Sequence, residues 1–243
     1  MAWYEPHCVA VTGLMFEARI AAGPGITVIC SGRQLQLRKS IEAAVGQGCD
    51  GIISFGIAGG LAPNLPPGAC IIGRHIIADH GRYAANQGWA RALMETVGGS
   101  RDHNASRRHV LFGDIAGSEV PVASTRAKRL LHERTGAAAV DLESHIAARV
   151  AAEHRIPFAA FRIVTDPFDR ALPPAAMVAT RADGTVDVMA VARSLLRCPA
   201  QLLTLVRLAL DSWAARQSLV PSRRFLGPSL GLPDLREHLL DVA

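Results

Sequence analysis

The run 51–73, "GIISFGIAGGLAPNLPPGACIIG", carries no charged side chain and is the stretch that most limits what this chain can become. Its length and apolarity suit a membrane-spanning helix. Pro63, Pro66 and Pro67, with Asn64 among them, exclude that reading. Lipid-exposed backbone must satisfy its own hydrogen bonds, and a helix so interrupted cannot. The run therefore predicts a strand, a glycine loop and a second strand. Similar short apolar runs recur as "HCVAVTG", "GITVIC", "HVLF" and "IPFAAFRIVTD", with helical periodicity between several of them. That alternation predicts an α/β fold, a mixed central sheet flanked by helices on both sides. With 243 residues, 49% of them hydrophobic, the chain can bury a core of that size.

Periodicity lapses between Thr165 and Val186, where Pro167, Pro173, Pro174 and Asp183-Gly184 mark a long loop of the kind that carries function. Helical pattern resumes at Asp187. After Pro199, "AQLLTLVRLALDSWAARQSL" reads as an apolar helix, followed by a basic tail, "VPSRRFLGPSLGLPDL". The expected organisation is an α/β domain over residues 1–198 and an amphipathic helix with basic tail over 199–243. Leu202, Leu203, Leu205, Val206, Ala209, Leu210 and Trp213 form the broad apolar side of that helix, and Arg207, Asp211 and Arg216 a narrower polar one. Such a helix either docks on its own domain or lies in a lipid interface.

The formal charge of +5 is compatible with an anionic partner without specifying one. Five scattered cysteines with no C-x-x-C pair argue against a disulfide framework and a zinc site, and no metal is expected. Together with an N-terminus lacking the pattern of a signal peptide, this suggests a cytoplasmic setting.

Two acidic residues sit where an apolar helix and an apolar strand would not put them. Asp166 ends the strand "FAAFRIVTD" and precedes Pro167, the usual address of a ligand site in an α/β sheet. Partly desolvated there, it would hold a proton near neutral pH and act as a general acid. On the residue alone, an Asx turn before proline explains it better. Glu143 falls in the first turn of "DLESHIAARVAAEH", with Asp141 as N-cap. It serves either the helix dipole or the hydroxyls of a sugar, whose developing positive charge it would stabilise. "SFGIAGGL" lets a ligand approach Gly59 and Gly60 closely, yet it is not a dinucleotide fingerprint, and the prolines beyond leave no room for that fold's helix. In "VTGLMFEARIA", Gly13 and Glu17 occupy a strand-to-helix turn, Glu17 being either an exposed helix residue or a site carboxylate.

These pieces occur together and in order, and with "VTGLMFEARIA", "SFGIAGGLAPNLPPG", "AVDLES" and "FRIVTD" the chain resembles the nucleoside phosphorylase and nucleosidase superfamily over roughly residues 8–170. Through "GLMFEARIAAGPG", "DPFDRALPPAA" and "DVMAVARSLLRCPAQLLTLVRLA" it is most similar to the hopanoid-associated phosphorylases. The resemblance implies a nucleoside phosphorylase-like fold with a C-terminal helical extension. It casts Asp166 as the acid that protonates the imidazole-ring nitrogen of a purine and Glu143 as the ligand of the ribose hydroxyls. Leu142 then packs beside the sugar, and Gly13, Ala58, Gly59, Gly60 and Thr165 line the substrate. The implied reaction cleaves the N-glycosidic bond of adenosylhopane and releases adenine. The alternatives are a small soluble nucleoside such as methylthioadenosine, or a nucleoside-binding protein without turnover.

Departures from the family pattern bear on the nucleophile. Ile57 replaces a frequent serine, and Ser54 replaces a phosphate-binding arginine. Glu17 stands near both another such arginine and the water-activating glutamate of the nucleosidases. Arg33 and Arg19 are the remaining candidates to bind phosphate. Phosphate is thus a candidate co-substrate alongside water, and no other cofactor is implied. The expected partners are the adenosine-bearing lipid, a membrane surface on its inner face and further copies of the chain, with no nucleic acid.

Overall fold

The computed structural model describes residues 6–31, 33–99, 109–181 and 183–233; expectations that fall on residues 1–5 and on the tail beyond Pro233 lie outside these. The six apolar runs all form strands: β1 (Cys8–Thr12), β2 (Ile26–Cys30), β3 (Gly51–Gly60), β4 (Cys70–Ala78), β6 (Val110–Gly117) and β8 (Phe158–Val164). Two short strands, β5 (Gly81–Ala84) and β7 (Ala139–Asp141), join them. The expected glycine loop is itself strand, because β3 runs on through Gly59 and Gly60 and the chain turns only at the prolines.

One mixed sheet results. β1 pairs in parallel with β2 and β3, and β3 with β8, while β4 runs antiparallel to β5 and β8 and parallel to β6. β3 changes partner along its length. Its first half pairs with β1 through Ser54, and its last two residues pair antiparallel with β7. Between the two regions lies Gly56, whose φ of +151° is readily open only to glycine. Pairing β3 to β8, β8 to β4, β4 to β6, β6 to β7 and β7 back to β3 closes a circuit, so the sheet curls upon itself.

Alternation along each strand divides the core. Val9, Val11, Ile52 and Ile71 point to one face, under α2 (Gln34–Gly46) and α5 (Ser144–His154). Cys8, Ala10, Ile53, Phe55 and Phe161 point to the other, under α3 (Gln87–Gly98), with Phe55 and Phe161 stacked at 5.6 Å. The helices start where polar caps dictate. Asn86 caps α3, Ser124 caps α4 (Thr125–Thr135) and Asp187 caps α7 (Val188–Arg197), each side chain accepting a hydrogen bond from a first-turn amide.

The long loop after β8 holds only a single turn, α6 (Pro174–Met177), and a bridge between Thr180 and Val186. It folds back over the start of α1 (Met15–Ala21), where the Met15 amide donates to Gly184 O at 2.9 Å. α8 spans Leu202–Phe225, continuing through Pro221 into what the sequence suggested was tail. Its second half explains this. Ala215 and Leu219, then Leu226 and Leu230, are buried in the same core cluster as Trp89, whose indole donates to Leu230 O at 3.1 Å. Among the described residues no single helix is long and apolar enough to cross a membrane.

Candidate active site

The turn from β1 into α1 lays Glu17 inward, 1% exposed, so its reading as an exposed helix residue is set aside. One carboxylate oxygen accepts hydrogen bonds from the amides of Gly13 and Leu14, at 2.9 and 2.8 Å, and the other from the amide of Ile57 at 2.7 Å. A three-donor backbone nest of the kind that suits an anion is thus filled by the protein's own carboxylate. A Cβ on Gly56 would overlap that carboxylate, and a Cβ on Gly13 would overlap that of Glu143. Both glycines are needed for the close approach.

Glu143 is the residue before α5 rather than in its first turn, held in an αR conformation. Asp141, expected as the cap, does accept from the Ser144 amide at 3.0 Å. Its main partner is elsewhere. Arg162, fully buried in the middle of β8, brings its Nε to 2.6 Å from Asp141 and a terminal nitrogen to 3.2 Å from Glu143. The same guanidinium donates to Ser54 Oγ at 2.5 Å and to Ile57 O at 3.2 Å. Arg162 Nε makes no aligned hydrogen bond, so its tie to Asp141 is ionic in character. Burial pushes Glu143 up to about 8, against the pull of Arg162 and with the help of Asp141 and Glu17. Glu17 is raised by burial in the same way.

Asp166 follows β8, its backbone carbonyl accepting from Gly60 and the Thr165 amide donating to Ala58 O at 2.9 Å. A Cβ on Gly59 would lie 3.1 Å from Asp166 Oδ2. The ends of β3 and β8 therefore bring Ala58, Gly59, Gly60, Thr165 and Asp166 together. Behind them stands Lys128, on the buried side of α4 and 0% exposed. Its Nζ lies 2.6 Å from Asp166 Oδ2 and 2.9 Å from the carbonyls of Asp166, Pro167 and Arg170. Burial raises Asp166 above the ordinary carboxylate range, and the Lys128 ammonium opposes that rise. The two effects hold a carboxyl that can change protonation state during a reaction.

Sequence reasoning missed Lys128 and Arg162. A charged residue inside "FAAFRIV" was the available signal for Arg162, since such a group is buried only when paired. Nothing local marks Lys128, one of several basic residues in α4. Leu142 is half-buried beside Glu143. Arg33 does not join the cluster: it is exposed at the N-cap of α2, and among the described residues its side chain makes no ion pair. Arg19 is likewise exposed, in the last turn of α1.

A family model described as the phosphorylase superfamily matches residues 13–206. No curated protein matches the chain. Among solved structures, the fold is similar to a methylthioadenosine/S-adenosylhomocysteine nucleosidase of Colwellia psychrerythraea in complex with adenine, with TM-score 0.64, 11% identity, and 93% of this chain and 96% of that one covered. A mutant nucleosidase of Helicobacter pylori, with 5'-methylthioadenosine in its active site, superposes with TM-score 0.62 and 12% identity over 99% of this chain and 100% of that one. The futalosine hydrolase of the same organism gives TM-score 0.59 and 15% identity, covering 93% and 97%. At these identities the likeness is one of fold.

Proposed function

The chain belongs to the phosphorylase superfamily, and from that premise we propose that this enzyme cleaves the N-glycosidic bond of an adenine nucleoside with water as the nucleophile. The observation that carries the choice of water is Glu17. It fills the three amides at the β1–α1 turn with a carboxylate, where bound phosphate would need donors. The one buried guanidinium nearby, Arg162, already faces Asp141 and Glu143. An anion entering this space meets carboxyl groups and finds the nearby donors already engaged.

Each group has a role in the reading. Asp166 gives its proton to the imidazole-ring nitrogen of adenine, and the electron pair of the glycosidic bond leaves with the base. Lys128 stabilises the resulting Asp166 carboxylate. Glu143 accepts hydrogen bonds from the ribose hydroxyls and opposes the positive charge that grows on the sugar. Glu17 takes a proton from water as its oxygen bonds to the anomeric carbon. Arg162 positions Glu143.

Within this reading the substrate we favour is adenosylhopane. Support comes from the resemblance of the chain to hopanoid-associated phosphorylases, which extends through the C-terminal helices. Purified protein is to be given adenosylhopane in detergent micelles, or methylthioadenosine in buffer, each with and without phosphate and in 18O-labelled water. Adenine release at the same rate without phosphate, with the label in a free sugar product, is the expected result. Saturation with phosphate and a phosphorylated sugar would replace hydrolysis by phosphorolysis. A higher kcat/KM on methylthioadenosine would replace the lipid substrate.

A further inference from the structure

α8 presents its sides in reverse of the usual order. Asp211, Ala215, Leu219 and Ser222 face inward and are buried, Asp211 in an ion pair with Arg170. Leu202, Leu203, Val206, Leu210 and Trp213 face outward and are between 49% and 74% exposed. At helical spacing these five share one side of α8, and neighbouring α7 carries a further exposed leucine, Leu196. Isolated exposed leucines are ordinary, whereas a continuous stripe along a helix marks a surface that something covers.

The charges beside that stripe indicate what covers it. Arg193, Arg197, Arg207, Arg216 and Arg224 are exposed on the same two helices. Asp211 is the one acid within them, and it is buried; Asp187, at the cap of α7, pairs with Arg181. A second copy docking by this face would set arginine against arginine with no free carboxylate between, a like-charge juxtaposition that opposes association. The axes of α7 and α8 also meet at a bend of 119°, so the pair does not form one rod through a bilayer.

We propose that the outer face of α7 and α8 docks on the surface of an anionic phospholipid bilayer. Leucines and Trp213 enter the boundary between headgroups and acyl chains, and the arginines draw the helices to acidic headgroups. The attachment is peripheral, reversible and weakened by salt. It holds whichever nucleoside is cleaved.

The test uses the full chain and flotation with vesicles of phosphatidylcholine alone or with about one third phosphatidylglycerol. The protein is expected to float with the anionic vesicles at low salt, to be released at high salt and to ignore the neutral ones. Leu203→Glu/Leu210→Glu and, separately, Arg207→Glu/Arg216→Glu are each expected to cut the bound fraction at least roughly tenfold. Thermal melting and adenine release from a soluble nucleoside should stay at wild-type values in both. If the leucine pair melts abnormally, the arginine pair decides. Failure of the wild-type chain to float at low salt overturns the proposal. So does wild-type flotation by the variants, or a change in their molecular mass in light scattering with vesicle binding intact, which would make the face an interface between copies.

Discussion

At the scale of single residues, the proposed chemistry turns on how a buried carboxyl keeps and releases a proton. Asp166→Asn retains a hydrogen-bonding group but has no acidic proton, so kcat is expected to fall about a hundred- to ten-thousand-fold while adenine binding, followed by calorimetry, changes little. Lys128→Met tests the other half of the pair. Without the ammonium 2.6 Å away, the largest influence opposing the upward push of burial on Asp166 is gone. The limb of the pH–rate profile that belongs to Asp166 should then move to higher pH, which a merely structural lysine would not cause. The same change removes a buried ammonium shared by three carbonyls and a carboxylate, and denaturant unfolding should show a loss of roughly 3–5 kcal/mol. Lys128→Arg, keeping the charge, should restore the position of the limb. The place of Asp166 at the end of a buried strand was legible in the sequence, whereas the role proposed for it came from the resemblance. Lys128 was not, because the fold and not the spacing of α4 decides that this one of its basic residues turns inward.

At the scale of elements, the β1–α1 turn and the middle of β3 are both shaped around side chains. Gly13→Ala puts a methyl into the space of the Glu143 carboxylate, and Gly56→Ala puts one into that of Glu17, at a φ only glycine adopts with ease. Each should cost about 1–3 kcal/mol in thermal or denaturant unfolding. If the proposed roles of Glu17 and Glu143 hold, adenine release should suffer far more than stability. The long strands were legible because their apolar runs are dense and bounded by turn residues. β5 and β7 were not. "GRYA" is mostly exposed and carries no alternation, and the three residues of β7 read as the approach to α5. The change of partner along β3 was hidden for a related reason. Glycines inside an apolar run signal a loop as readily as a strand that changes partners.

At the scale of the whole molecule, the buried carboxylates couple chemistry to stability. Glu143, held up to about 8, keeps its proton in the folded chain over a range where the unfolded chain has already released it. The folded state binds more protons there, so this contribution is fully present below the ordinary glutamate value and is lost as pH rises toward 8. Wild-type stability measured by denaturant unfolding should therefore decline between about pH 5 and pH 8.5 more steeply than that of Glu143→Gln. The C-terminal half of α8 belongs to this same unit. Ending the chain at Cys198 removes Leu219, Leu226 and Leu230 from around Trp89, and the truncated protein should lose its cooperative melt.

The closed circuit of strands also bears on synthesis. β3 is complete by residue 60, yet two of its partners, β7 and β8, lie at 139–141 and 158–164. On a ribosome, β1 and β2 can pair with the first half of β3 early, while the rest of that strand emerges with its backbone groups unmatched. It stays so until about a hundred further residues have been translated, several seconds at ordinary rates of elongation. Throughout that interval the nascent chain exposes an apolar, uncharged edge. Pausing after β3 has left the ribosome but before β8 has should therefore aggregate the product more than pausing once β8 has emerged and can close the circuit.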